Sequence, residues 1–239
     1  RDVLFFSAFG ASVFGEAFIL AFTIPNLFRR MLGEGTLSSA FIPVYAETRK
    51  KSSKDAFDLM NKVLGRLMVG LSLLIVFVVS LSYGAAKGDW FDSDKWSNGS
   101  MLNSITFGYV LFICASAIMV GALNTRGSFF AGALSPILLN LFMISTLAFF
   151  GVSLGWSGSD LAMVLCLSVL LAGFVQFLLP FLQLRMADGW RWKLDLGRSQ
   201  ELDRIKSIFW VGAMGAAVVQ INVLVSRFLA YSLDEQGGV

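Results

Sequence analysis

The 239 residues include no histidine, two cysteines and four prolines, and only 15% of them are charged. With histidine go the commonest general base and the commonest biological metal ligand, which weighs against hydrolase and metalloenzyme chemistry. Cys114 and Cys166 lie in apolar runs with no partner at metal-ligand spacing, so both are expected to be small buried hydrophobes. No glycine-rich phosphate loop, Walker motif, paired-cysteine motif or HExxH run occurs. Neither a cofactor nor a metal is expected. The shortage of charge excludes most, because an average soluble chain is roughly 25% charged. What fills the sequence instead is apolar: 56% hydrophobic residues and a mean hydropathy of +0.72.

Those apolar residues cluster into runs too long for the core of a soluble domain. Crossing a bilayer takes about 20 residues, since roughly 30 Å of hydrocarbon is covered at about 1.5 Å per residue. Val3 to about Phe9 reads as the end of a first span, and Gly10 to Gly15 as a turn. A second span runs from Glu16 to Met31, with a kink expected near Pro25. Proline costs a helix about 3 kcal/mol in water, but membrane helices tolerate it where neighbours satisfy the freed carbonyl. A basic stretch from Gly33 to Lys54 carries a short helix, Leu37 to Arg49. The third span covers Ala56 to Gly84, and a polar loop from Ala85 to Ser100 follows. The fourth span is Met101 to Leu123, the fifth Ala133 to Leu154 and the sixth Leu161 to Leu184. A polar amphipathic linker, Arg185 to Arg204, leads to a seventh from Ile205 to Leu233. The fold class expected is therefore all-α: a polytopic transmembrane helix bundle of about seven spans. The opening Arg1-Asp2 has no methionine, charged n-region or cleavage site, so a piece of a longer protein is expected rather than a signal peptide.

Lysine and arginine orient such a bundle, because they are retained on the cytoplasmic side. The connections 29–66, 124–127 and 184–206 together hold fifteen of the nineteen basic residues, all on one side of the seven-span layout. The other side has Lys87 and Lys95 alone. The fifteen mark the cytoplasmic face. The net charge of +3 then needs no nucleic acid to explain it. The run Arg49-Lys50-Lys51 is a topology signal that meets anionic membrane lipids.

Ionisable residues near or within spans carry the most information, since a charge at a membrane helix centre costs about 2.5–3.5 kcal/mol on insertion scales. Glu16, at the start of the second span, is either interfacial or turned into a cavity. Arg29 and Arg30 follow Pro25-Asn26 at the cytoplasmic end of that span. Adjacent helix positions are about 100° apart, so one of the pair is expected to face the bundle and the other to snorkel towards headgroups.

The stretch Glu16-Ala-Phe-Ile-Leu-Ala-Phe-Thr-Ile-Pro-Asn-Leu-Phe-Arg-Arg, continuing Met-Leu-Gly-Glu-Gly-Thr-Leu-Ser-Ser-Ala-Phe-Ile-Pro-Val-Tyr-Ala-Glu47, is similar to the signature of the MurJ/MviN family. Weaker agreements follow at Arg1-Asp2, Ala122-Leu123-Asn124-Thr125, Ser135-Pro136 with Asn140, and Gln220-Ile221-Asn222 with Arg227. The family is a branch of the multidrug, oligosaccharidyl-lipid and polysaccharide flippases. The resemblance implies a lipid II flippase of the bacterial cytoplasmic membrane and not an enzyme. It would translocate the undecaprenyl-pyrophosphate-linked peptidoglycan precursor by alternating access. Its partners would be lipid II, membrane lipids and other cell-wall synthesis proteins. The implied layout is residues 1–184 as first-lobe helices, 185–204 as a cytoplasmic linker and 205–239 as the start of a second lobe. By motif match Arg1, Glu16 and Arg29 fall on the charged positions of the family's central cavity, with Arg30 and Glu34 adjoining. An exporter of another polyprenyl-linked saccharide or of a drug, and a non-transporting scaffold for cell-wall synthesis, remain open as alternatives.

Overall fold

A computed structural model describes residues 1–10, 12–30, 35–88 and 94–233, and every regular element among them is helical. The helices are α1 (Asp2–Phe9), α2 (Val13–Phe28), α3 (Thr36–Lys51), α4 (Ser53–Lys87), α5 (Asp94–Thr106), α6 (Tyr109–Asn124), α7 (Phe130–Thr146), α8 (Gly158–Asp188) and α9 (Gln200–Leu233). A π-type segment, Leu147–Ser153, continues α7. Five helical stretches are long and apolar enough to cross a membrane: Ser53–Lys87, Trp96–Asn124, Phe130–Ser153, Gly158–Asp188 and Gln200–Ser226. The shorter apolar α2 and the eight-residue α1 account for the remaining two expected spans. The chain is an all-α membrane bundle, and both cysteines are buried in it.

The fourth span differs from expectation both at its start and in its middle. The fourth span begins at Asp94 rather than Met101, and Ser97 Oγ donates to Ala86 O at 3.0 Å, which pins its start to the end of α4. Hydropathy reads the polar residues there as loop, yet a helix runs on into the interface wherever its polar side chains find water or partners. The same span is also interrupted at Phe107–Gly108, between α5 and α6. Val110 N donates back to Phe107 O (3.1 Å) and Leu111 N to Gly108 O (3.3 Å), the shorter three-residue spacing of a tightened turn. Glycine suits this place because Leu170 Cδ1 of α8 lies 3.1 Å from where a β-carbon would stand. The middle of the expected polar loop, residues 89–93, lies outside the described residues.

Long-range contacts agree with the charge-based orientation. Glu47 of α3 accepts from Arg204 Nη1 of α9 at 2.7 Å. Arg49 Nη1 reaches Thr125 Oγ1 at 3.4 Å, and Arg126 pairs with Asp188 at the end of α8. The connections rich in lysine and arginine therefore meet at one end of the bundle. At the opposite end Phe14 packs beside Gly158, Ala8 beside Gly151, and Phe150 beside Trp156.

The core follows the same division. One cluster, including Phe5, Phe18, Tyr109, Leu147 and Leu165, fills the outer half. The other, including Phe41, Tyr45, Met60, Ile118 and Trp190, fills the half next to the basic connections. Side chains such as Phe77, Leu171, Val211 and Met214 are exposed, as a surface bathed in hydrocarbon requires.

Between α8 and α9, residues 189–199 form an irregular segment fastened to α4. The buried indole of Trp190 donates to Asn61 Oδ1 at 3.1 Å, while Asn61 Nδ2 donates to Arg191 O at 3.3 Å. Arg66 Nη2 donates to Leu196 O (2.7 Å) and Gly197 O (2.8 Å). Gly65 permits this docking: a β-carbon there would stand 2.8 Å from Asp195 O.

Candidate functional site

Helix α2 starts cleanly because Ser12 Oγ accepts from Gly15 N at 3.3 Å, and Glu16 in the first turn favours the positive end of the helix dipole. The helix continues through the buried Pro25 to Phe28, and Arg29 and Arg30 extend it in a wider, π-type turn. Ile19, Phe22, Thr23, Asn26, Arg29 and Arg30 form one stripe at helical spacing, and all of them face a cavity of about 510 Å³. Arg1 and Asp2 of α1, Asn140 of α7, Gln176 of α8 and Gln220 of α9 line it from other sides.

The structure brings Arg1, Arg29 and Arg30 together on this wall. Arg29 is half-buried and Arg30 exposed, and both contribute atoms to the cavity wall. A helical stripe is at least 100° wide, so neighbours on either side of its axis both reach the cavity. Glu16 is buried, at 8% exposure, but it is not among the lining residues. Glu34 lies outside the described residues, as does the side chain of Arg227.

The charge on the wall would favour an anion. Among the described residues three arginines line the cavity, with one carboxylate, Asp2. Arg1 Nε donates to Asp2 Oδ1 at 2.8 Å and its Nη1 to Asn140 Oδ1 at 3.3 Å. Arg29 Nε donates to Asn26 Oδ1 at 3.0 Å. A guanidinium has five N–H donors in a planar fork, a geometry that can meet phosphate oxygens two at a time. Among the described residues no group of three or more histidines, cysteines, aspartates or glutamates comes together to hold a metal ion.

Sequence reasoning missed the carboxamides. Gln176 is 2% exposed; its Nε2 donates to Ser135 O, and its backbone carbonyl accepts from Ser116 Oγ at 2.8 Å. It thereby ties α6, α7 and α8 together at the cavity floor. A lone glutamine inside the apolar run 161–184 was the available signal, since polar groups in membrane helices face partners or cavities. Asn140 and Gln220 stood in the weaker motif agreements, but nothing local marked them as cavity residues.

Residues 5–239 match the family model described as lipid II flippase MurJ. The chain belongs to the MurJ lipid II flippase family. That family consists of transporters rather than enzymes. A probable lipid II flippase MurJ of Haemophilus influenzae is 32% identical over 247 residues, covering 96% of this chain and 47% of the relative. The lipid II flippase MurJ of Burkholderia cenocepacia is 34% identical over 193 residues, covering 79% of this chain and 37% of its own length. A solved MurJ structure in an inward closed conformation superposes with a TM-score of 0.74 at 27% identity, over 99% of this chain and 48% of that one. The chain thus spans about half the length of the MurJ relatives it matches.

Proposed function

We propose that the intact protein is a lipid II flippase of the bacterial cytoplasmic membrane, working by alternating access, and that this chain supplies the cationic half of its translocation path. The observation that carries this is the 510 Å³ cavity with Arg1, Arg29 and Arg30 on its wall. A pyrophosphate needs several charge-assisted donors when it leaves water, and arginine forks provide them with fixed geometry. Residues 1–184 would form the first lobe, 185–204 a cytoplasmic linker and 205–239 the start of the second lobe. Glu16 and Glu34 belong to the proposed set as carboxylates that exchange arginine partners when substrate arrives and leaves. Lipid II is the proposed cargo, and membrane lipids and other cell-wall synthesis proteins are the proposed neighbours.

Complementation tests the reading: the full-length gene is expressed while the host's own lipid II flippase is depleted. The wild type should restore growth, Arg29→Ala should not, and Arg29→Lys should do so only in part, because lysine offers a point charge rather than a fork. Growth restored equally by wild type, Arg29→Ala and Glu16→Gln would refute it. Failure of the wild type itself would point instead to another polyprenyl-linked cargo or to a scaffold.

A further inference from the structure

The turn that ends α8 builds a hollow well apart in sequence from the arginines of the cavity. Gly189 adopts the left-handed conformation (φ 65°, ψ 15°), which a β-carbon would strain, and Trp190 N donates back to Leu184 O at 3.4 Å. The chain therefore returns over the last turns of α8. Phe181 and Arg185 of α8, with Trp190, Arg191 and Trp192 of the returning segment, line an open hollow of about 480 Å³. Its walls are held in place. The Trp190 indole donates to Asn61 and packs edge-on against Phe181, with ring centroids 5.5 Å apart, while Arg191 O accepts from Asn61 Nδ2.

The charge in the hollow is of one sign. Two arginines line it, and among the described residues no carboxylate does. Neither guanidinium has an ion-pair or hydrogen-bond partner among those residues. The two acids of the same segment are engaged elsewhere: Asp188 pairs with Arg126, and Asp195 Oδ1 accepts from Gly197 N at 2.7 Å.

What lies below the hollow distinguishes a lipid from a free phosphate. Met163, Leu167, Leu171, Phe174 and Leu182 are exposed along one face of α8 at helical spacing, and Arg185 continues that face one turn further. An apolar stripe that ends in a guanidinium, with the exposed indole of Trp192 beside it, matches acyl chains that end in a phosphate at the membrane boundary. A free phosphate has no use for the stripe. Arginine forks, for their part, suit phosphate oxygens.

We infer that this hollow binds the headgroup of an anionic phospholipid of the cytoplasmic leaflet, with the acyl chains along the exposed face of α8. The inference needs only the membrane setting and holds whichever cargo the protein carries.

The test follows phenylglyoxal modification of Arg185 and Arg191 in the intact protein in nonionic detergent, peptide by peptide, as a probe is titrated in. Phosphatidylglycerol should shield both arginines over the same concentration range. Phosphatidylcholine, which has no net charge, and glycerophosphoglycerol, which has no acyl chains, should not shield them in that range. Arg185→Gln should raise the phosphatidylglycerol concentration that half-shields Arg191 about tenfold, the loss expected for one charge-assisted contact. Lys54→Gln, at an exposed position elsewhere on the cytoplasmic face, should change it less than twofold. The unmutated protein tests the inference even if a variant fails to fold. Absence of shielding, or equal shielding by phosphatidylcholine, overturns it. So does equal shielding by glycerophosphoglycerol, which marks a free-phosphate site, and so does an equal effect of Lys54→Gln, which marks a diffuse basic face.

Discussion

Replacing Asn61 by leucine should release the segment between α8 and α9 from the membrane bundle. Asn61 is 6% exposed and Trp190 1%, so their hydrogen bond is shielded from water at both ends. Leucine preserves volume but strands three groups: the indole N–H of Trp190, the carbonyl of Arg191, and the amide of Lys193, which reaches Asn61 Oδ1 at 3.5 Å. The buried indole alone should cost about 1–3 kcal/mol, and the two longer bonds nearer the surface add about 0.5 kcal/mol each. A total of about 2–4 kcal/mol multiplies the open population of the segment about 30- to 900-fold. Trypsin reports that population, because Arg191, Lys193 and Arg198 all lie between the two helices. When opening and reclosing are fast, cleavage tracks the open fraction. Inverted membrane vesicles carrying the intact protein, with fragments read by mass spectrometry, should show that acceleration at these three sites. Right-side-out vesicles should stay uncut there, since the lysine and arginine distribution puts the segment on the cytoplasmic side. A Trp190→Phe companion should couple to Asn61→Leu by about 1 kcal/mol, because the two share one bond. Cleavage within threefold of the parent, or cutting from the outer face, would refute the reasoning.

Two further outcomes follow from the geometry. Gly173→Ala places a β-carbon 2.5 Å from Tyr109 Cδ2 at the contact of α6 and α8, whereas Gly70→Ala on α4 meets no atom within 4 Å. Thermal unfolding in detergent should show the first losing about 1–3 kcal/mol to overpacking and the second gaining up to about 1 kcal/mol of helix propensity; equal shifts would contradict this. The Arg204 guanidinium hydrogen-bonded to Glu47 holds that carboxyl below its ordinary range. A depressed carboxylate contributes above its unfolded pKa and stops contributing as pH falls through its folded one. The spin-label distance between α3 and α9 should therefore hold steady from about pH 7 to about pH 5 and lengthen only in more acid solution. Lengthening as pH rises would reverse the sign and reject the account.

Sequence and structure agree best where the signal is collective. Fifteen basic residues on three connections marked one face, and those connections meet through Glu47–Arg204, Arg49–Thr125 and Arg126–Asp188. Such a sum is insensitive to any one residue. Boundaries set by single contacts were not legible. Nothing in the order of residues announces that Ser97 will find Ala86, or that Gly65 is kept small for a backbone more than a hundred positions away. The cavity divides the same way. Arg1, Arg29 and Arg30 were visible because charge in a membrane span demands an explanation. The carboxamides that accompany them cost far less to insert, so Asn26 and Gln176 passed as ordinary helix residues. Glu16 shows the converse: its charge drew notice, yet it stands outside the cavity lining.

The carboxamides explain why the arginines remain useful. Asn26 and Asn140 orient the guanidinium groups of Arg29 and Arg1 through neutral oxygens, so neither carboxamide brings a negative charge to the fork that it holds. An aspartate in place of Asn26 would hold Arg29 more firmly and set a negative charge against it. An entering phosphate would then have to displace an ion pair, and breaking a shielded pair costs about 3–5 kcal/mol, against about 1 kcal/mol for one neutral hydrogen bond. Asn26→Asp tests this with a change of one functional group. The 3.0 Å contact to Arg29 Nε should survive and the protein should be at least as heat-stable as the parent. Lipid II binding by the intact protein should nevertheless fall by tenfold or more, since about 1.4 kcal/mol of the difference suffices for that. Raising the ionic strength should narrow the gap only slightly, because a pair shielded inside the bundle is poorly screened. If Asn26→Asp bound lipid II as tightly as the parent, the positive charge at Arg29 would not be what draws the phosphate in.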